Sequence, residues 1–185
     1  MTLITHKNGD DLWVFGYGSL VWNPGIEVAE IRRATLTGFR RSFCMWSIHH
    51  RGCEADPGLV LALEPHEGAS CAGLAIRAAD PEAALVALRE RELISSAYYE
   101  QEVTLLCEHG ESLRSLAYVI DVAHQQYVPD LTVEEQAGII ARAIGGRGPN
   151  HEYLSRTAEG LQARDIPDAD LDALVARVQQ ILATA

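Results

Sequence analysis

The sequence predicts an α+β protein with a mixed or antiparallel, barrel-like β-sheet, and three observations lead there. Apolar runs rich in β-branched and aromatic residues recur up to Val122. One helix signal interrupts them at Asp80-Pro81, and from Thr132 onward the pattern is helical. Strands first, one interrupting helix and a helical C-terminal tail is the order of an α+β domain.

The elements follow in turn. Leu12–Gly16 is a short apolar run that reads as a buried strand, and Ala34–Ser47 is a longer one bent or bulged at Gly38. Leu59–Leu63 and Cys71–Arg77 read as two strands flanking a polar loop at Pro65, His66 and Gly68. Asp80 caps, and Pro81 opens, a helix over Pro81–Glu92. Glu102–Cys107 and Leu113–Val122 are strands around a turn at His109-Gly110. Thr132-Val-Glu-Glu135 is a capping box for a helix that ends near Gly145-Gly146. Asn150 caps the next helix, and Asp168 or Asp170 caps a last one presenting Leu171, Leu174, Val178 and Leu182 on one face.

No repeat, low-complexity tract or linker divides the 185 residues, so a single domain over 1–185 is expected. With 15 basic and 26 acidic residues the net charge is −11. An acidic chain without a Lys/Arg stripe argues against nucleic-acid and anionic-membrane partners. No signal-peptide pattern opens the sequence and no apolar stretch reaches the roughly 20 residues of a membrane span. The expected compartment is cytoplasmic. Cys44, Cys53, Cys71 and Cys107 form no C-x-x-C pair and read as free, mostly structural thiols.

Two local features carry chemistry. In Val14-Phe-Gly-Tyr-Gly-Ser-Leu20 a strand runs into two glycines, whose backbone N–H groups can form an anion nest or simply end a strand. A dinucleotide fingerprint fits poorly, since its third glycine would fall on Val21 and Trp22-Asn23-Pro24-Gly25 reads as a turn where the fingerprint demands a helix. On a helical wheel over Pro81–Glu92, Glu92 falls about 20° from Leu85, whereas Glu90 lies about 140° away and faces water. A carboxyl group on an apolar stripe at a helix C-terminus is expected to have a raised pKa, fit for acid/base work; a salt bridge with Arg89 is the alternative.

Other residues are weaker signals. His49 and His50 point to opposite faces of a strand and have no partner at metal-ligand spacing. Arg51 pairs with an acidic residue or contacts a substrate carboxylate. Tyr153 reads as packing with a polar tip. Ser19 has no sequence-adjacent histidine to make it a nucleophile.

Trp13-Val-Phe-Gly-Tyr-Gly-Ser-Leu-Val-Trp-Asn-Pro-Gly25 resembles the opening signature of the ChaC-like, glutathione-specific γ-glutamylcyclotransferases. The resemblance continues at Gly38-Phe-Arg-Arg-Ser-Phe43, Ser47, His50-Arg-Gly52, Pro57-Gly58, Arg91-Glu92, Tyr98, His124-Gln-Gln-Tyr127 and Asn150-x-x-Tyr153-Leu154. It departs where the family often has Ser-Thr-Asp-His-Arg-Gly and this chain has Ser47-Ile-His-His-Arg-Gly52. It departs again after Glu92, where Ser95-Ser96-Ala97 replaces a glycine-containing loop.

The resemblance implies the γ-glutamylcyclotransferase-like fold, no metal or organic cofactor, and a small γ-glutamyl substrate. Tyr17, Gly18, Ser19 and Leu20 would cradle the γ-glutamyl group. Glu92 would be the catalytic base and acid. Ser47, Arg51 and Tyr127 join them as candidate substrate contacts, with a packed tyrosine the alternative at 127. The reaction implied is attack of the glutamyl α-amine of glutathione on its own γ-carbonyl, giving 5-oxoproline and cysteinylglycine. Another γ-glutamyl amine or dipeptide as substrate is a second expectation, and a non-catalytic binding or regulatory protein on the same fold a third.

Overall fold

The computed structural model describes residues 11–184 of the chain. The strands are β1 (Trp13–Gly16), β2 (Val28–Ser47), β3 (Gly58–Ala78), β4 (Tyr98–Cys107), β5 (Ser112–Ile120) and a small hairpin of β6 (Ile144–Gly145) and β7 (Gly148–Pro149). The α-helices are α1 (Pro81–Glu92), α2 (Val133–Arg142), α3 (Asn150–Gln162) and α4 (Ala169–Thr184). β1 to β5 close into a barrel in the order β1-β3-β2-β4-β5. The seam is a parallel pairing of β1 with β5 at Val14 and Leu116, while β1 with β3, β2 with β4, and β4 with β5 are antiparallel. The α+β reading with a mixed, barrel-like sheet and a helical tail therefore holds. The contacts of the chain fall into two compact units, residues 11–41 with 63–125 and residues 42–62 with 126–184.

In the first unit a core of Trp13 and Phe15 from β1 and Tyr17 just after it meets Ala34 and Leu36, Leu63, Cys71 and Ala75, Val103 and Leu105, and Ala117 and Val119. The two-residue spacing within each strand is the alternation expected when one face is buried. β4 breaks that alternation: Tyr98 and Glu100 are buried, and then Val103, Leu105 and Cys107, so its buried face changes parity midway. α1 opens as the sequence specifies, with Asp80 accepting from the Ala83 N–H and Pro81 in the first turn.

β3 corrects the sequence reading. Pro65, His66 and Gly68 lie inside one strand of 21 residues, not in a loop between two strands. Gly68, at φ +79, takes a left-handed conformation within the strand, and Gly38 does the same in β2 at φ +81. Such a position bends or bulges a strand without ending it. β2 also begins six residues earlier than expected, and β4 four residues earlier.

In the second unit the capping box of α2 forms as read: the Glu135 N–H donates to Thr132 Oγ1 and the Thr132 N–H to Glu135 Oε2. α2 ends at Arg142, so Gly145 lies in the β6–β7 hairpin and not at a helix terminus. Asn150 is not a cap. It is the first residue of α3 and fully buried, its Oδ1 accepting from the Leu59 N–H and its Nδ2 donating to the Leu59 carbonyl, both at 2.7 Å. Leu171, Leu174 and Val178 of α4 are buried, whereas Leu182 is 41% exposed and leaves the expected stripe. An exposed ion pair of Arg177 with Glu134 joins α4 to α2. The four cysteines are free, Cys53 exposed and the other three buried.

Candidate active site

The site is built where β1 ends and α1 ends, both in the first unit. β1 runs into Gly16, and the chain then turns through a single 3-10 turn at Ser19–Val21. Val21 N–H donates to the Gly18 carbonyl, and the Trp22 and Asn23 N–H groups to the Ser19 carbonyl. β3 approaches closely here: a Cβ on Gly73 would stand 2.5 Å from the Gly16 carbonyl oxygen, so only glycine fits.

Side chains fix the loop from outside. Arg41 donates to the carbonyls of Tyr17 at 2.7 Å and Ala72 at 2.8 Å. The Tyr17 hydroxyl donates to the Tyr118 carbonyl at 2.8 Å, which ties the loop to β5. Tyr17, Gly18 and Leu20 are buried and Ser19 is half-buried.

Glu92 is the last residue of α1 and its side chain is 16% exposed, while Leu88 one turn earlier is buried and Glu90 faces solvent. The wheel reading of this face is thus correct. Arg89, the expected ion-pair alternative, is taken up elsewhere: its Nε and Nη2 donate to the two oxygens of Glu100 at 2.7 and 2.9 Å. Glu92 ion-pairs with Arg91, whose Nε lies 3.0 Å from Glu92 Oε1. Arg91 also donates through Nη2 to Ser19 Oγ and through Nη1 to the Asn23 carbonyl, each at 2.7 Å. A guanidinium is a compact, rigid fork, so Ser19 Oγ and Glu92 Oε1 lie within about 8 Å of one another. Arg91 is thus in contact with both the Glu92 carboxylate and the loop at Ser19.

Behind them lies a polar cluster that sequence reasoning did not find. Glu100 and Tyr118 are direct cross-strand partners, and the Tyr118 hydroxyl donates to Glu100 Oε1 at 3.4 Å. Burial, and after it the charges of Glu100 and Glu92, push the Tyr118 phenol far above its ordinary range. It stays protonated, a hydrogen-bond donor at any physiological pH. Salt bridging to Glu100 in turn raises Arg89.

Ser47, Arg51 and Tyr127 lie in the second unit. Ser47 Oγ accepts from the Arg51 N–H at 3.0 Å, so these two are brought together. Arg51 is 7% exposed; its Nη1 donates to the Pro149 carbonyl at 3.2 Å and its guanidinium lies over the Tyr153 ring. It forms no ion pair among the described residues, and burial lowers its pKa. The charge of Glu152 acts on it in the opposite sense, so Glu152 is the acidic residue that influences it most. Tyr127 is half-buried and bridges to Met45 of β2, while the Tyr153 hydroxyl accepts from the Leu61 N–H. Among the described residues no three His, Cys, Asp or Glu side chains gather as a metal would need. No described helix is long and apolar enough to cross a membrane.

The family profile of the ChaC-like proteins matches residues 12–181. The chain is 33% identical to the glutathione-specific γ-glutamylcyclotransferase of Escherichia coli K12 over 184 residues, covering 98% of this chain and 79% of that one. It is 35% identical to glutathione-specific γ-glutamylcyclotransferase 1 of Rattus norvegicus over 185 residues, covering 95% and 83%. The crystal structure of a yeast γ-glutamyl cyclotransferase specific to glutathione superposes with a TM-score of 0.79 at 25% identity, covering 94% of this chain and all of that one. The profile match over residues 12–181, with identities of 33% and 35% over nearly the whole chain, shows that the chain belongs to the ChaC-like family.

Proposed function

We propose that this protein is a γ-glutamylcyclotransferase that cleaves glutathione to 5-oxoproline and cysteinylglycine, with Glu92 carrying the proton. The observation that supports Glu92 most directly is its link through Arg91 to the Ser19 hydroxyl of the glycine loop. The α-amine of the substrate attacks its own γ-carbonyl, the five-membered ring closes, and the bond from the γ-carbon to the cysteinyl nitrogen breaks. No protein nucleophile takes part. Since amine and carbonyl are already tethered, the enzyme's main task is to hold the folded-back conformer. The loop at Tyr17, Gly18, Ser19 and Leu20 does this through its polar backbone. Glu92 removes a proton from the amine and returns it to the leaving nitrogen, so one carboxylate serves as base and then acid. In the second unit, Arg51 is suited to bind a carboxylate, with Ser47 setting its backbone and Tyr127 as a further candidate contact.

The test is product analysis. Purified protein is incubated separately with glutathione and with γ-glutamyl-alanine, and 5-oxoproline is measured. Product from glutathione alone is expected. Product mainly from γ-glutamyl-alanine moves the activity to another γ-glutamyl substrate, and product from neither ends the enzymatic reading.

A further inference from the structure

Arg91 donates two hydrogen bonds, from Nη1 to the Asn23 carbonyl and from Nη2 to Ser19 Oγ, while its Nε lies 3.0 Å from Glu92 Oε1 as an ion pair without a hydrogen bond. These partners come from the end of α1, from the turn after the 3-10 segment and from the glycine loop. The side chain is 16% exposed, and its bond to Ser19 is partly shielded from water while that to Asn23 lies at the surface. A guanidinium carries no acceptor. When Ser19 Oγ accepts from Arg91, the single proton of the hydroxyl must therefore point away from that side chain. A hydroxyl whose oxygen takes a charge-assisted hydrogen bond is also polarised into a better donor.

We propose that Arg91 is a positioning residue that sets two contacts of the reaction at once: it holds the Glu92 carboxylate against the glycine loop, and it turns the Ser19 hydroxyl to donate to the γ-carbonyl oxygen of the substrate. The inference rests on the cyclotransferase reading above and adds to it the role of Arg91 and the reason Ser19 is a donor. As the amine attacks, negative charge builds on the carbonyl oxygen, and a donor aimed there in advance lowers the barrier. Lysine could supply the charge of Arg91 but not the forked pair of donors that reaches Asn23 and Ser19 together. The contact from Nη1 to Asn23 fixes the fork, so the other two nitrogens cannot drift independently.

The experiment is a double-mutant cycle on glutathione turnover with Ser19→Ala and Arg91→Lys, and with Arg91→Gln as second substitution at the same site. Melting temperatures are recorded alongside, and the cycle is read from whichever Arg91 variant melts as wild type does. Each single change is expected to lower kcat by about 10- to 100-fold, the effect of losing or misaligning one charge-linked hydrogen bond in the transition state, with KM changed less than threefold or so. The double variant is expected to lose no more than about threefold beyond the worse single one, because Arg91 acts partly through Ser19. If the two losses multiply, or the Arg91 variant alters KM alone, Arg91 does not orient Ser19 and the inference is overturned. It is equally overturned if neither Arg91 variant folds, since the residue is then only structural. Wild-type turnover separates the two levels: an active wild type with multiplying losses refutes the positioning role alone. A wild type that forms no 5-oxoproline refutes the cyclotransferase reading and takes this inference with it.

Discussion

Replacing Arg89 by methionine removes both donors that hold Glu100, and the two partners differ in a way that fixes the outcome. The Glu100 side chain is wholly buried, whereas that of Arg89 is 28% exposed. Without Arg89 the carboxylate remains in the barrel wall and has lost its two short charged contacts, the Tyr118 hydroxyl standing farther off at 3.4 Å. Removing one member of a buried pair typically costs about 3–5 kcal/mol, because the remaining charge is left uncompensated. Glu100→Gln leaves behind a guanidinium that can still reach water, and its cost should be smaller, about 1–2 kcal/mol. In a chain of this length each kcal/mol shifts the melting temperature by about 2–4 °C, so Arg89→Met should melt about 10 °C lower and Glu100→Gln about 4 °C lower. Thermal unfolding followed by circular dichroism at neutral pH reads both. Equal losses, or a larger loss for Glu100→Gln, would refute the assignment of Glu100 as the dry partner.

Three further outcomes follow from the same contacts. Asn150→Ala strands the N–H and carbonyl of Leu59 and should cost about 2–4 kcal/mol in urea unfolding, well above the loss of a helix cap. Gly73→Ala puts a methyl 2.5 Å from the Gly16 carbonyl oxygen; it should destabilise by about 1–3 kcal/mol and lower kcat/KM by displacing the glycine loop. The Tyr118 phenol, raised above its ordinary value of 10.0 by burial and then by Glu100 and Glu92, contributes stability that is complete below about pH 10. Above that pH the unfolded chain ionises and the folded one does not, so stability falls as pH rises. Phenolate absorbance should show one tyrosine titrating only with unfolding.

What was legible in the sequence was what local chemistry encodes. Asp80-Pro81, the capping box at Thr132 and the placement of Glu92 beside Leu88 each depend on residues within one or two turns, and each is found in the structure. Gly68 misled because a glycine with positive φ ends many strands, and nothing local says that β3 continues through it. Glu100 was passed over because strict alternation along β4 would expose either it or Val103; only the change of parity buries both. Arg91 stood beside Glu92 in the sequence, but neighbours on a helix point about 100° apart, and only the fold turns Ser19 and Asn23 toward it. Asn150 was placed at the right helix with the wrong role, because its partner Leu59 is 91 residues away.

The most direct test of Glu92 is its replacement by glutamine, which keeps the shape of the side chain and cannot shuttle a proton. Binding of glutathione to Glu92→Gln, measured by calorimetry, should stay within a few-fold of the wild-type KM, while turnover to 5-oxoproline falls by about 100- to 10,000-fold. A variant that binds and still cyclises glutathione at near wild-type kcat would contradict Glu92 as the proton carrier.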